Sequence, residues 1–189
     1  MTLEGIDVSI YQGAINWPTV ASSGKRFAFI KATDGTTSVD SRFADNWPAS
    51  RDAGLFRAPY HYAHPGRDAV TQAVHFYSQV GALGPGDLGP ALDLEQSDGQ
   101  PKDAVLKWAL AFLDKVEELF GRPAIVYTGG FWKFELGNPA ASPVATRPLW
   151  LAQYAANATL PAAWKAWTFW QYSGSGTVPG ISAPCAYAI

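Results

Sequence analysis

Short runs rich in Ile, Val, Phe and Tyr recur along the chain with amphipathic stretches and turn signals between them, and this rhythm limits the fold more than any other feature. It is the pattern of successive parallel βα units. The expected strands are residues 5–9, 27–33, 58–63, 90–95, 124–128, 149–154 and 168–172, with a short last one near 185–188. The clearest helix covers 101–120, where Val105, Trp108, Ala109, Phe112, Leu113, Val116, Leu119 and Phe120 recur at i, i+3, i+4 spacing. Pro101 suits its first turn and Gly121 its stop. Shorter helices fit 17–23, 41–53 and 68–80, and beyond Gly129 the rhythm becomes irregular.

Seven or eight strands and at least four crossover helices in 189 residues predict an α/β fold, a compact and irregular β/α barrel of the TIM type. Its helices should be incomplete in the C-terminal third. An open doubly wound sheet is the alternative, but no Gly-rich phosphate turn follows the first strand. No linker, charge block or repeat divides the chain, so residues 1–189 are expected to form one domain. A hydrophobic fraction of 48% with 16% charged residues supports a sizeable core and excludes disorder.

The formal charge of -2 offers no footprint for nucleic acid or an anionic membrane. Apolar windows such as 162–172 are broken by Lys165 and Thr168 and fall short of the ~20 residues of a membrane span, so no stable membrane association is expected. The N-terminus carries no basic or apolar region of an export signal. The lone Cys185 reads as a small buried hydrophobe. Eight Trp, eight Tyr and ten Phe can fill a core, but such rings also stack on sugars, which brings a carbohydrate ligand into view.

Side chains alternate along a strand, so in Ala91-Leu92-Asp93-Leu94-Glu95 the leucines share one face and the two acids the other. In a barrel the leucines pack under helices and the acids point into the lumen, their α-carbons roughly 6 to 7 Å apart. They lie at the C-terminal end of the strand, where barrel active sites are built. Two acids so close do not both ionise freely, which leaves a proton donor beside an anion, the arrangement that glycosidic cleavage requires. A purely structural alternative is that one acid caps the next helix or pairs with a lysine. Asp7, between Ile6 and Val8, adds a third inward carboxylate. Other strand ends bring Tyr60-His61-Tyr62, Tyr127-Thr128, Trp150 through Gln153-Tyr154 and Trp167 through Tyr172, a set suited to a sugar cleft. A metal site fits worst, because among His61, His64 and His75 the first two fall on opposite faces of their strand.

The segments GIDVSIYQG, INW, FAFIKATDG, YHYAHP, ALDLE, IVYTG, LWLAQY and WTFWQYSGSGTVPGI resemble, in order and over nearly the whole chain, the motifs of glycoside hydrolase family 25 lysozymes. The resemblance implies a single catalytic domain that hydrolyses the β-1,4 bond between N-acetylmuramic acid and N-acetylglucosamine of bacterial peptidoglycan, without metal or organic cofactor. By matching motif, Glu95 would be the general acid/base, Asp93 its partner carboxylate, and Asp7 a further acid of the pocket. Asp34, Tyr62, Tyr127, Gln153, Trp170 and Gln171 match positions expected around the sugar. The family is described as retaining, and its Asp-x-Glu strand resembles that of enzymes in which the substrate's 2-acetamido group attacks the anomeric carbon. Such a protein acts on the cell wall as a monomer, either extracellular or released from a host cytoplasm as a phage lysin.

One position departs from the pattern. Where the family places a Val-Asp-Leu-Asn-like strand, this chain reads Cys185-Ala186-Tyr187-Ala188, so an aligned acid is missing. A peptidoglycan-binding module with reduced or lost turnover is therefore the alternative, and a hydrolase of chitin-like polymers a third.

Overall fold

The computed structural model describes residues 2–189. Eight strands close a ring in the order β1 (Glu4–Val8), β9 (Cys185–Ala188), β8 (Phe169–Gly176), β7 (Leu149–Ala152), β6 (Ile125–Thr128), β5 (Ala91–Asp93), β4 (Phe56–Tyr62) and β2 (Lys25–Asp34), and β1 pairs back with β2. Closure is what the barrel expectation required. All junctions are parallel except the two made by β9, which runs antiparallel to both β8 and β1. A two-residue strand, β3 (Ser38–Val39), folds back on the end of β2 outside the ring. The sequence reading did not include it, although Asp34-Gly35 with a left-handed Gly35 (φ 60°) is a hairpin signal.

The helices follow the expected positions: α1 (Trp17–Ser22), α2 (Phe43–Asp52), α3 (Ala69–Val80) and α4 (Lys102–Phe120). Asp68 caps α3 by accepting from Thr71 N at 2.7 Å, and Gly121 ends α4 in the left-handed conformation. After α4 only a π-turn at Phe131–Glu135 and a 3-10 turn at Pro143–Thr146 cover the barrel, so the C-terminal third carries incomplete helices.

Strand alternation sorts the buried residues into two shells. Ile6, Val8, Ala28, Ile30, Leu92, Leu94, Val126, Leu149 and Leu151 face outward and pack with Phe76, Val105, Phe112 and Val116 of the helix layer. His61 belongs to this outer shell, held between Thr33 Oγ1 at 2.8 Å and Gln72 Oε1 at 3.0 Å, and burial lowers its pKa to about 4. Phe27, Phe29, Ala58, Tyr60, Ala91, Ile125, Tyr127, Trp150 and Ala188 face inward and fill the lumen. Phe29 stacks on Trp150 with ring centroids 3.7 Å apart, and Phe169 closes edge-on against Phe29 at 5.1 Å. Gly5 makes this plug fit, because a side chain there would run into the Phe27 ring. The N-terminal end of the barrel is locked by a buried ion pair, Arg57 to Asp87 at 2.6 Å, with the guanidinium over Trp47. The lumen is therefore a floor of packed rings, and only the C-terminal mouth is open to chemistry.

Candidate active site

Above the ring floor lies a cleft of about 320 Å³ whose walls include Asp7, Lys31, Tyr60, Tyr62, Asp93, Glu95, Tyr127, Trp150, Tyr154 and Gln171. Each comes from the inward side of a strand or from just past its C-terminal end. A larger hollow of about 750 Å³ between Ile15, Trp17, Ala49 and Ile181 lies elsewhere and is lined by no titratable side chain.

Alternation along β5 delivers the acids. Leu92 and Leu94 are fully buried in the outer shell, Asp93 is 8% exposed at the cleft base, and Glu95 stands just beyond the strand with its side chain more open. The ladder of β5 ends at Asp93, earlier than the expected strand, but Leu94 N still donates to Tyr127 O at 3.0 Å and carries the backbone to Glu95. Asp93 Oδ1 is buried without a hydrogen-bond partner. Burial, then the neighbouring Glu95, pushes the Asp93 carboxyl well above the usual carboxylate range, while Lys31 opposes the rise. Burial likewise raises Glu95 against the pull of Lys31. Two carboxyl groups raised and this close titrate as a pair, in which ionisation of one opposes ionisation of the other.

Asp7 on β1 completes the acidic wall. Desolvation raises its pKa to about 6, an amide hydrogen bond from Gln171 counteracts the rise, and Glu95 adds to it. Gln171 is itself fixed: its Oε1 accepts from Tyr127 Oη at 3.0 Å and Tyr154 Oη at 2.8 Å, which leaves Nε2 to donate to Asp7 Oδ2 at 2.7 Å. Two phenols thus select the amide orientation that a carboxylate needs.

Among the described residues lining the cleft, Lys31 is the only basic one. Inward parity on β2 after Phe27 and Phe29 places it there, a signal present in the sequence but not used. Its ammonium lies 4.7 Å from the Tyr62 ring centroid and 2.7 Å from Asp34 Oδ2. Asp34 does not line the acid cleft; it holds Lys31 from behind, and His64 Nε2 is 2.9 Å from its other oxygen. Burial alone would raise the Asp34 pKa, yet Lys31 and His64 outweigh it and the net shift is downward.

The expected sugar-contact set divides. Tyr62, Tyr127 and Gln171 line the cleft, whereas Gln153 and Trp170 do not. Gln153 Oε1 accepts from Thr159 N at 2.7 Å, and Trp170 Nε1 donates to Gln153 O at 2.8 Å, so these two brace the rim. Tyr60, Trp150 and Tyr154 take the places at the cleft wall. The sequence reading noted them only as strand-end residues.

Cutting a glycosidic bond takes a proton donor and an anion around one anomeric centre, and here both sit among ring faces and amides that suit sugars. Fold and site together define a glycoside hydrolase of the barrel class. Comparison then names the family: the chain matches the model for Glycosyl hydrolases family 25 over residues 6–181 and belongs to that family. It is 35% identical over 190 residues to Lysozyme M1 of Streptomyces globisporus, an alignment covering 95% of this chain and 65% of that protein. The chain thus spans about two thirds of that relative's length. It is 33% identical to an N,O-diacetylmuramidase of Chalaropsis sp, covering 91% of this chain and 88% of that one. The crystal structure of the bacterial lysozyme from Streptomyces coelicolor superposes with a TM-score of 0.93 at 33% identity, covering 100% of this chain and 92% of that one.

The departure noted in the last strand falls in the cleft. Ala186 lines it and pairs in register with Asp7, so an acid at this position would stand beside Asp7 at the mouth.

Proposed function

We propose that this chain is a peptidoglycan muramidase, a single catalytic domain that hydrolyses the β-1,4 bond between N-acetylmuramic acid and N-acetylglucosamine. The observation that carries the reading is the pairing of a buried, unpartnered Asp93 with the more open Glu95, both raised in pKa at the mouth of a barrel floored by aromatic rings. Its relatives named as lysozyme and N,O-diacetylmuramidase support the substrate class.

In the first step Glu95, protonated, donates to the leaving glycosidic oxygen as the bond from the anomeric carbon breaks. The carbonyl oxygen of the substrate's own acetamido group supplies the electron pair to that carbon. In the state of the pair that reacts, the shared proton is on Glu95, so Asp93 accepts the acetamido N–H on its free oxygen and stabilises the positive charge of the cyclic intermediate. Glu95, now a carboxylate, takes a proton from water as the water oxygen attacks the anomeric carbon; the acetamido group returns and configuration is retained. Asp7, oriented by Gln171, adds negative potential where positive charge develops.

The protein acts on the cell wall as a monomer without stable membrane association, and a phage-lysin release route fits this role. Among the described residues no helix is long and apolar enough to cross a membrane. Ala186 beside Asp7 favours one second reading, a glycan-binding module with reduced turnover.

Digestion of purified peptidoglycan by wild type and Glu95→Gln, with mass spectrometry of borohydride-reduced products, separates the two. Disaccharide-peptides ending in reduced muramic acid from wild type alone are expected. No products from either, with wall binding kept by both, would transfer the assignment to the binding module.

A further inference from the structure

Tyr11 leaves 81% of its surface in solvent, yet the turn that carries it is firmly braced. The 3-10 turn Ile10–Gln12 is closed by a capping box in which Gln12 Oε1 accepts from Ser9 N at 2.8 Å. Gln12 Nε2 donates to Pro184 O at 2.9 Å, which ties the turn to the approach of β9. On the other side Ile10 N donates to Asp40 Oδ2 at 2.8 Å, tying it to the segment after β3. A ring displayed on so fixed a support does nothing for the core, and an ordered exposed ring is the low-entropy surface that recognition uses.

Beside this ring is a second cavity of about 240 Å³, lined by Ile10, Tyr11, Lys31, Asp34, Val39 and Asp40 among others. It shares Tyr11 and Lys31 with the acid cleft, so the two cavities adjoin across these side chains. Its far wall includes β3, the hairpin strand that takes no part in barrel closure. Ile10 and Val39, 49% and 45% exposed, add apolar edges to the ring face. The Asp34 and Asp40 oxygens already accept N–H bonds, and their remaining lone pairs can accept from hydroxyl groups.

We propose that this second cavity is a distal glycan subsite, with the Tyr11 ring as the stacking platform for one pyranose of the same strand whose neighbour bond lies over Asp93 and Glu95. A flat ring face, aliphatic edges and carboxylate acceptors match the apolar face and peripheral hydroxyls of a sugar. Adjacency across Tyr11 and Lys31 points to the strand already in the cleft as the occupant. The inference rests on the muramidase reading for its substrate, and it predicts that the protein discriminates by strand length.

The test uses peptide-free oligomers of alternating N-acetylglucosamine and N-acetylmuramic acid, a tetrasaccharide and an octasaccharide. Calorimetric binding is measured on Glu95→Gln protein and hydrolysis on protein that keeps Glu95. The octasaccharide should bind about tenfold more tightly than the tetrasaccharide, Tyr11→Ala should erase that advantage, and Tyr11→Phe should keep it. In hydrolysis the Tyr11→Ala loss should fall on KM for the octasaccharide more than on kcat. An advantage that survives Tyr11→Ala, or no advantage at all, overturns the subsite. So does a Tyr11 effect confined to strands that bear stem peptides, which would give the cavity to the peptide. Binding of the octasaccharide through Tyr11 without any bond cleavage by wild type would instead sink the muramidase reading and leave the subsite standing.

Discussion

Gln171 Nε2 donates to Asp7 Oδ2 at 2.7 Å, a contact that joins β8 to β1 across a β9 strand whose facing residue, Ala186, is too small to intervene. The amide lowers the Asp7 pKa against its burial. Gln171→Leu removes that donor and strands the hydroxyls of Tyr127 and Tyr154. A destabilisation of roughly 1–3 kcal/mol is expected from the unpartnered groups. The Asp7 pKa should rise further above about 6, seen by carboxyl-carbon NMR titration. Gln171→Glu should be worse, since it sets a second carboxylate against the first.

Asp7 should also cost stability at neutral pH. Its folded pKa of about 6 lies above the unfolded value near 3.8, so between those limits the folded state holds the extra proton and stability falls as pH rises through the window. Asp7→Asn abolishes this loss. With partial solvent access discounting the shift, a gain on the order of 2 kcal/mol at pH 7 is expected, vanishing below pH 4. Urea titrations at pH 4 and pH 7 check it; equal stability changes at both would show that the fold does not raise the Asp7 pKa. Activity should fall in the same variant by less than in Asp93→Asn.

Asp93→Asn should lower kcat by roughly 10²–10⁴, the range for a lost participant in proton or charge handling, while leaving glycan binding measurable. Because Asp93 Oδ1 has no partner and the carboxyl is raised by burial, the same change should not destabilise the fold at pH 7. Thermal melts beside single-turnover rates separate the two effects. A variant that melts far below wild type would make Asp93 a structural acid.

Lys31 opposes the rise of both Asp93 and Glu95, and Asp34 holds Lys31. Lys31→Met should therefore raise the pKa of the Asp93–Glu95 pair and move both limbs of the pH–rate profile to higher pH. Asp34→Asn frees the ammonium to approach the pair and should move them to lower pH. Opposite shifts from the two variants are the required signature; a shift to higher pH in both would mean that Asp34 is what keeps the ammonium beside the acids.

The barrel was legible because eight apolar runs carry period-two patterning and α4 carries a clean 3.6 period. The direction of β9 was not, since four residues pair equally well either way until β8 and β1 are in place. Asp93 and Glu95 could be read from parity with Leu92 and Leu94, whose outward burial is complete. The same parity places Lys31 inward after Phe29 and turns Trp170 away from the cleft, between inward Phe169 and Gln171. Gln153 lay beyond parity, because β7 ends at Ala152 and the next side chain turns to Thr159. Tyr154 became a site residue through packing over Gly174 and a bond to Gln171, contacts that only the closed ring creates.

Ala186 is the position at which an added acid tests how the cleft carboxyl groups couple. An aspartate there would stand across the β1–β9 pair from Asp7, in the same cleft as Asp93 and Glu95. Three raised carboxyl groups already share that space, and a fourth anion must raise them further. Ala186→Asp should therefore move the pH–rate profile to higher pH and, if the added acid steadies developing positive charge, raise kcat by about tenfold, equivalent to roughly 1.4 kcal/mol at the transition state. The cost is stability: another buried carboxyl at neutral pH should lower the melting temperature, and more so at pH 7 than at pH 4. A profile that keeps its position while the protein loses stability would mean that residue 186 faces the acids without coupling to them, and that the cleft works with the three it has.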